Sequence, residues 1–359
     1  MTILWINLFL VFLFSSFSRY AASTGTMTMT SPVPIRPNKL IATGALLSLV
    51  LVSGLRSNIG DTYFYKHAFE VSQFTWEYIL SQKDIGFGIL QMVLKNYVSE
   101  DPQVLLFTTA LLTNTLIFFV LYKYSRMLEL SLYVYIAGGL FLISMNGIRQ
   151  LLAAAIIFTA TKYLIDGNWV KYFAIVIIAS FFHQSALILL PIYFLVRSKA
   201  WSKSTVVLII FALIIVVGFD QFTSFLFSAI EDTQYGHYKD FAEGGANILR
   251  VLVEMVPIII AYLGRDKLRE IFPDSDVIVN MALLGLVFML ISTQNWIFAR
   301  FSIYFSLYQL ILISWVVKLF EKKDRKIIYL GIVSCYFLYY FYESVISLNI
   351  LYKSDYISW

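Results

Sequence analysis

The run VLLFTTALLTNTLIFFVLY at residues 104–122 contains no charged side chain. Its length is close to the roughly 20 residues that a helix needs to cross the hydrocarbon core of a bilayer. Similar apolar runs recur throughout the 359-residue chain, which is 59% hydrophobic and 14% charged and has a mean hydropathy of +0.76. A membrane β-barrel would instead show short stretches of alternating hydrophobicity. The sequence therefore predicts an all-α fold, a polytopic transmembrane helical bundle.

Charged and turn-forming residues divide the apolar sequence into about twelve candidate spans. We place them at residues 2–18, 39–55, 104–122, 132–146, 148–165, 171–183, 185–197, 204–219, 247–264, 277–294, 299–317 and 327–345. The stretch between 171 and 197 would suffice for a single span, but His183 and Pro191 interrupt it. We therefore predict two short helices there, joined by a tight outer connection.

Two of the predicted connections are long, at residues 56–103 and 220–246, and both are expected to be extracytoplasmic loops. Loops of this size usually carry function or secondary structure of their own. The first contains Trp76, Tyr78 and Phe87, which predicts short helices lying on the membrane surface. We expect the whole chain, 1–359, to form a single integral membrane domain.

The distribution of charge between the loops predicts the orientation. When the amino terminus is placed outside, the inner loops hold most of the Lys and Arg and the outer loops hold most of the Asp and Glu, as the positive-inside rule requires. The opening run lacks a basic n-region and is followed by Arg19, so we expect a retained first helix rather than a cleaved signal peptide. Residues 23–37, rich in Thr, Ser, Met and Pro, are predicted to be a flexible inner linker.

Cationic side chains gather at the predicted outer ends of the spans, where Lys and Arg are usually scarce. They are Arg56, Arg149, Arg250 and Arg300, and His183 falls at the same level. A guanidinium holds phosphate oxygens in bidentate fashion at any working pH, and a neutral imidazole can accept a proton. The group therefore predicts a diphosphate-binding site that needs no metal and no cofactor. Arg250 has a structural alternative, because Glu254 follows it by four residues and would pair with it on one helix.

Several classes of protein lack support in the sequence. The single cysteine, Cys335, excludes an intrachain disulfide, and no Walker, dinucleotide-binding or metalloprotease pattern is present. The triplet at residues 274–276, Asp-Ser-Asp, resembles a metal-binding Asp-X-Asp, but it precedes a helix on the inner side, where Asp is an ordinary cap. We expect no metal site and no nucleic-acid partner.

Two motifs at neighbouring outer turns resemble a known family. Asn146-Gly147-Ile148-Arg149-Gln150 is followed, after a helix and a basic inner turn, by Phe182-His183-Gln184-Ser185-Ala186. In order and spacing this pair is similar to the EpsG family of Wzy-type polysaccharide polymerases. The resemblance covers about residues 38–320, with Ile85 departing from the family's Pro. Further matching residues are Gly54, Arg56, Gly60, Asp61, Tyr65, Asp84, Gly86, Phe87, Arg300 and Tyr304.

The resemblance implies a polymerase that joins undecaprenyl-diphosphate-linked oligosaccharides at the outer face of the bacterial cytoplasmic membrane. Its implied partners are the lipid-linked substrate, membrane lipid, and chain-length regulator and flippase proteins. The developing charge on the leaving diphosphate must be neutralised, and the acceptor hydroxyl must lose a proton. We expect Arg149 and Arg300 on the diphosphate with Arg56 as a third contact, His183 as general base or proton relay, and Asp61 as a competing base. Other candidates for substrate binding are Tyr65, Asn146, Gln150 and Tyr304.

Other readings of the same residues stay open at this stage. Arg149 would also serve to cap helix carbonyls or reach lipid headgroups, and His183 would serve as a polar turn residue. A flippase or other transporter would place charges along a path at mid-membrane, where Glu254 is nearly the only one. A membrane acyltransferase would use a His-rich inner site. A ligase that transfers finished glycan would use the same chemistry as a polymerase.

Overall fold

The computed structural model describes residues 1–24, 32–219, 221 and 244–357. Of these described residues, 76% are helical and almost none lie in strands, so the predicted all-α fold is confirmed. Two compact units are present: Met1–Tyr193 together with Ile313–Trp359, and Phe194–Leu312. The middle of the predicted inner linker and most of the predicted outer loop 220–246, including His237, lie outside the described residues.

Four helices of the described part of the chain are long and apolar enough to cross a membrane. They are Thr2–Tyr20, Gln103–Tyr124, Ile297–Leu319 and Arg325–Ser347. A fifth is added if the bent pair Leu128–Ala137 and Leu140–Asn146 forms one span. The helical membrane fold is therefore present, while the count of twelve spans stays a prediction.

The first unit contains most of the helices. Their bounds are α1 Thr2–Tyr20, α2 Lys39–Gly54, α3 Thr62–Val71, α4 Trp76–Ser81, α5 Ile85–Tyr97, α6 Gln103–Tyr124, α7 Leu128–Ala137, α8 Leu140–Asn146, α9 Ile148–Thr159, α10 Thr161–Asp166 and α11 Trp169–Ser180. A 3-10 turn, Gln184–Ile188, leads into α12, Leu189–Val196. The break between α11 and α12 confirms the two short helices predicted around His183.

Three segments differ from the sequence prediction. The predicted span 132–146 is two helices that meet at a 56° bend, because the chain turns at Gly138 and Gly139. The predicted span 148–165 is likewise divided into α9 and α10. The ends of the linker predicted to be flexible are paired as a short antiparallel ladder, β1 Ser23–Thr24 with β2 Ile35–Arg36, in which Ser23 lies opposite Arg36.

Helix packing in the first unit brings the first long loop onto the bundle. α1 packs on α2 and α7, α2 packs on α6, and α6 and α11 both pack on α9. The short helices α3 and α5 pack against α6 and α9 through an apolar cluster that includes Phe69, Phe87, Leu105 and Ile148. Burial of these side chains fixes the loop against α6 and α9, since apolar area removed from water contributes about 25 cal/mol per Å².

The second unit contains α13 Lys203–Val217, α14 Ile248–Leu263, α15 Arg265–Ile271, α16 Ser275–Ile291 and most of α17 Ile297–Val316. Its core includes Ala212, Ile215, Val287 and Ile291. Asp276 forms an ion pair with Arg269, with Arg269 Nε 3.0 Å from Asp276 Oδ1. On α14, Glu254 Oε1 accepts a hydrogen bond from Ser306 Oγ at 3.4 Å, one turn beyond Arg250.

The end of the first unit returns to the first loop. A short 3-10 turn, Val317–Leu319, follows α17, and α18 runs from Arg325 to Phe341 before continuing as a π-helical turn, Tyr342–Ser347. Residues 348–357 come after this turn and form the C-terminal tail. The tail reaches back across the first unit to the residues that follow α2, where hydrogen bonds join it to the start of the first long loop.

Candidate functional site

Asn146, the first residue of the Asn-Gly-Ile-Arg motif, holds the first loop in place. Its side-chain oxygen Oδ1 accepts a hydrogen bond from the backbone N–H of Asp61 at 2.9 Å. Gly60 adopts φ +52°, and a Cβ atom there would lie 2.1 Å from the same oxygen. Only glycine combines this backbone conformation with so close an approach. Asn146 is therefore a positioning residue for Asp61, whose side chain is exposed next to the motif.

Arg56 is buried rather than directed at solvent. Its side chain is 1% exposed, and all three guanidinium nitrogens donate to protein oxygens. Nε donates to Thr62 Oγ1 at 3.0 Å, Nη2 donates to the carbonyl of Met145 at 2.7 Å, and Nη1 donates to the carbonyl of Ser53. Burial lowers the pKa of Arg56 to about 10, so the group stays cationic at neutral pH.

These contacts join the end of α2 to the end of α8, immediately before Asn146. The direct diphosphate contact expected from the sequence would require an accessible guanidinium. The geometry instead favours a bracing role for Arg56, since a buried cation is tolerated when hydrogen bonds to protein oxygens replace those to water.

Arg149 lies at the start of α9, and its side chain remains 43% exposed. Nη1 is 2.8 Å from Asp84 Oδ2 in a charge-assisted hydrogen bond. The guanidinium carbon lies 5.9 Å from the ring centre of Tyr65 and 6.0 Å from that of Phe87, which are distances for cation–π contact. Asp61 also lies close enough for its charge to act on Arg149. Arg149 is thus fixed from one side and accessible from the other.

Asp84 joins the two sequence motifs. While Oδ2 accepts from Arg149, Oδ1 accepts a hydrogen bond from the backbone N–H of Gln184 at 3.2 Å. The carboxylate is only 6% exposed. Burial raises the pKa of Asp84, and the positive charge of Arg149 and the N–H of Gln184 work in the opposite direction. One buried carboxylate therefore holds the arginine of the first motif and the backbone beside the histidine of the second.

His183 follows α11 and is half-buried at the entrance to the 3-10 turn. Its Nδ1 lies 2.7 Å from Ser185 Oγ, and its backbone N–H donates to Ala179. The tautomer with a proton on Nδ1 would donate to the serine and leave Nε2 as a proton acceptor. Ser185 can therefore orient the imidazole for the role expected of it.

The start of α5 is fixed against the turn that carries His183. The backbone N–H of Gly86 donates to the carbonyl of Phe181 at 2.8 Å. A Cβ atom on Gly86 would lie 2.8 Å from Phe181 Cβ, so this approach needs glycine. This contact fixes the backbone two residues after Asp84, and so helps to position its carboxylate.

The remaining candidates have different surroundings. Tyr65 lies edge-on to Phe87 with ring centres 6.2 Å apart and forms part of the wall next to Arg149. Gln150 is 6% exposed, which favours a role inside the protein over direct binding of a sugar. Arg300 and Tyr304 belong to the second unit, on α17. There the Arg300 guanidinium lies 4.6 Å from the ring centre of Trp296, and Tyr304 is 2% exposed.

Two elements of the site are not predicted from the sequence. Asp84 belongs to the family resemblance but is not among the site residues that the sequence predicts. The C-terminal tail was not expected there at all. The backbone N–H of Ser57 donates to Lys353 O at 2.9 Å, the N–H of Lys353 donates to Asn58 Oδ1 at 2.6 Å, and Tyr352 Oη donates to Val52 O at 2.8 Å.

Comparison with known protein families gives a match over most of the chain. The profile of the EpsG family matches residues 39–354, nearly the whole chain. Neither the search of curated proteins nor the search of solved structures gave a match. The matched range contains both motifs, the first loop with Asp61 and Asp84, and most of the C-terminal tail. The chain therefore belongs to the EpsG family, whose members are Wzy-type polysaccharide polymerases.

Proposed function

We propose that the protein polymerises oligosaccharide repeat units carried on undecaprenyl diphosphate, at the outer face of the bacterial cytoplasmic membrane. The observation that carries this proposal is the buried carboxylate of Asp84, which fixes an accessible arginine and the backbone next to a histidine at one end of the bundle. The proposed topology has twelve spans with the amino terminus outside, so that this end faces away from the cytoplasm.

In the proposed reaction, a hydroxyl oxygen of the incoming lipid-linked unit attacks the anomeric carbon of the growing chain. The bond between that carbon and the diphosphate oxygen breaks, and the carrier diphosphate leaves with the electron pair. Arg149 stabilises the charge that develops on the leaving group, because a guanidinium forms paired hydrogen bonds to phosphate oxygens. Stabilisation of this kind requires no metal.

The acceptor proton goes to His183 Nε2, with Nδ1–H donated to Ser185. Asp61 is the alternative base, since its backbone is fixed by Asn146 and its exposed side chain lies close enough to Arg149 for the two charges to interact. Asn146 and Arg56 hold the first loop rather than the substrate. Arg300, on the second unit, stays a candidate for carrier binding on the basis of the family resemblance, while the burial of Tyr304 favours a role inside the protein.

The partners in this proposal are membrane lipid, the lipid-linked substrate, and chain-length regulator and flippase proteins. A flippase would move the same substrate without forming a bond, and a ligase would consume the same donor with a different acceptor. An acyltransferase would require an activated acyl donor. All three differ from a polymerase in the product that they form from lipid-linked repeat units alone.

The deciding experiment uses purified protein in liposomes with synthetic undecaprenyl-diphosphate-linked repeat units, without nucleotide or metal. A ladder of products that differ by one repeat unit, with release of undecaprenyl diphosphate, is expected. Translocation of intact substrate without a ladder would establish the flippase instead. No ladder from repeat units alone, but a single transfer when a non-repeat acceptor is added, would establish the ligase.

A further inference from the structure

A cavity of about 520 Å³ lies between α2 and α6, away from the candidate site. Gln103 at the start of α6 donates through Nε2 to Gly54 O at the end of α2, at 2.6 Å, so these two helices run antiparallel. The cavity is lined by the first turns of α2 and the last turns of α6. It therefore opens at the opposite end of this helix pair from Arg56 and Asn146.

The lining combines an apolar floor with a cationic rim. Phe118, Phe119 and Ile35 supply apolar surface, while Arg36, Lys39 and Lys123 supply three positive charges. The lining contains no acidic residue, and no acid among the residues that the structure describes forms an ion pair with any of the three. Such a surface fits a ligand that has a negative head and a hydrocarbon tail.

The geometry of the rim is fixed by the protein. Tyr122 Oη donates to the carbonyl of Pro37 at 2.6 Å, which ties the segment that carries Arg36 to α6. Lys123 Nζ lies 3.9 Å from the ring centre of Phe119, so its charge is held over the apolar floor. Lys39 begins α2, where the exposed backbone N–H groups of the helix also favour an anion.

We propose that this cavity binds one anionic phospholipid of the membrane. The phosphate lies at Arg36, Lys39 and Lys123, and an acyl chain lies along Phe118 and Phe119. Nothing in the proposed polymerase reaction uses these residues. If the candidate site faces outward, the lipid belongs to the cytoplasmic leaflet, whose negative surface attracts basic side chains next to membrane helices. The bound lipid would stabilise the packing of α2 on α6.

The test is lipid binding by native mass spectrometry of the full chain released from nanodiscs, with phosphatidylglycerol, phosphatidylcholine and inorganic phosphate as separate probes. One retained phosphatidylglycerol is expected. The triple variant Arg36→Gln, Lys39→Gln, Lys123→Gln is expected to lower its affinity about a hundredfold, since each cation near an anionic surface contributes about fivefold. Phosphatidylcholine and inorganic phosphate should be lost on release.

Two further variants distinguish binding in the cavity from a general effect of positive charge. Thr115→Trp places a large side chain in the cavity without altering charge, and should reduce phosphatidylglycerol retention while leaving the melting temperature in detergent unchanged. Lys322→Gln, Lys323→Gln, Lys326→Gln removes the same charge from cations outside the cavity and should retain the lipid. Equal retention of phosphatidylcholine, saturation by phosphate alone, or equal loss in the second triple variant would overturn the proposal.

Discussion

Asp84 and Arg149 are 65 residues apart in the chain, yet their side chains meet at 2.8 Å between Oδ2 and Nη1. The contact leaves the second carboxylate oxygen for the backbone of Gln184. Because Asp84 is almost fully buried, solvent competes little for its carboxylate oxygens. The two motifs of the family are therefore positioned by a third segment, the start of α5.

Removing the guanidinium of Arg149 should abolish polymer formation without preventing folding. Arg149→Ala is expected to lower the polymerisation rate by about 10²- to 10³-fold, the usual loss when one group that stabilises the leaving charge is removed. Product ladders from liposomes measure the rate. Lys322→Ala, which removes an exposed cation outside the first loop, is the control and should remain active. A normal ladder from Arg149→Ala would remove this residue from the reaction.

Replacing the imidazole of His183 should remove its basicity while keeping polarity. His183→Gln is expected to lower the rate by about 10²- to 10⁴-fold and to flatten the acid limb of the pH–rate profile, because an amide accepts no proton at these pH values. Ser185→Ala should lower the rate less, since it removes only the group that orients Nδ1. An unchanged profile in His183→Gln would assign the base to Asp61, and Asp61→Asn would then show the loss.

Asp84 predicts opposite effects of pH on stability and activity. Burial raises the pKa of Asp84 above the usual value of aspartate, so the folded protein binds this proton more tightly than the unfolded chain. Stability should therefore fall as pH rises through the window between those two values. Activity should rise in the same window, because only the ionised carboxylate pairs with Arg149. Asp84→Asn should flatten the stability change and lower activity at every pH.

Thermal unfolding of the native chain and of Asp84→Asn across this pH window measures stability. Polymerisation rates of the same preparations measure activity. Asp101→Asn is a suitable control, because Asp101 is an exposed acid elsewhere in the same loop. A stability curve for Asp84→Asn that falls in parallel with that of the native chain would contradict the assignment.

A methyl group on Gly60 should displace the first loop. In Gly60→Ala the new Cβ would overlap Asn146 Oδ1 in a backbone conformation that alanine disfavours, at a cost of about 1–3 kcal/mol. Melting temperature and rate should both fall. The double variant Gly60→Ala, Asn146→Ala removes the overlap with Oδ1 and Cγ and leaves only the Cβ atom of residue 146, 2.7 Å from the new methyl group, so the two losses should be less than additive. Strict additivity would show that the two residues do not act on each other.

The positions of several helices could be predicted from the apolar runs, because a bilayer leaves the backbone few alternatives to internal hydrogen bonding. The predicted segments 39–55 and 104–122 correspond to α2 and α6 within a few residues. The sequence could not predict the bend between α7 and α8, since hydropathy does not record the direction of a helix axis. It placed cations at the ends of spans without distinguishing buried Arg56 from accessible Arg149, because that difference arises from tertiary contacts.

Asp84 shows the same limit from the other direction. Its place in a loop before an apolar helix gave no indication that the carboxylate would be buried between two distant motifs. Contacts between segments 65 and 100 residues apart decide that, and no local pattern encodes them. The resemblance to a family identified the motifs, and the structure then supplied the residue that joins them.

The C-terminal tail should be needed for a fully positioned first loop. Deleting residues from 350 onwards removes the contacts of Tyr352 and Lys353 with the segment 52–58, and should lower both the melting temperature and the rate. Tyr352→Phe removes a single hydrogen bond, for which about 1 kcal/mol is typical, and should have a smaller effect in the same direction. Full activity of the truncated chain would show that Arg56 and Asn146 hold the loop unaided.

The contact between the C-terminal tail and the first loop can form only late during synthesis. Asn58 and Lys353 are 295 residues apart, and the compact unit that contains both is interrupted by residues 194–312. At a synthesis rate of about 5–20 residues per second, the first loop waits roughly 15–60 seconds for its partner to leave the ribosome. The nascent protein therefore synthesises all of residues 194–312 before the loop that carries Asp61 and Asp84 contacts Lys353, which delays competence for chemistry until that part of the chain has been made.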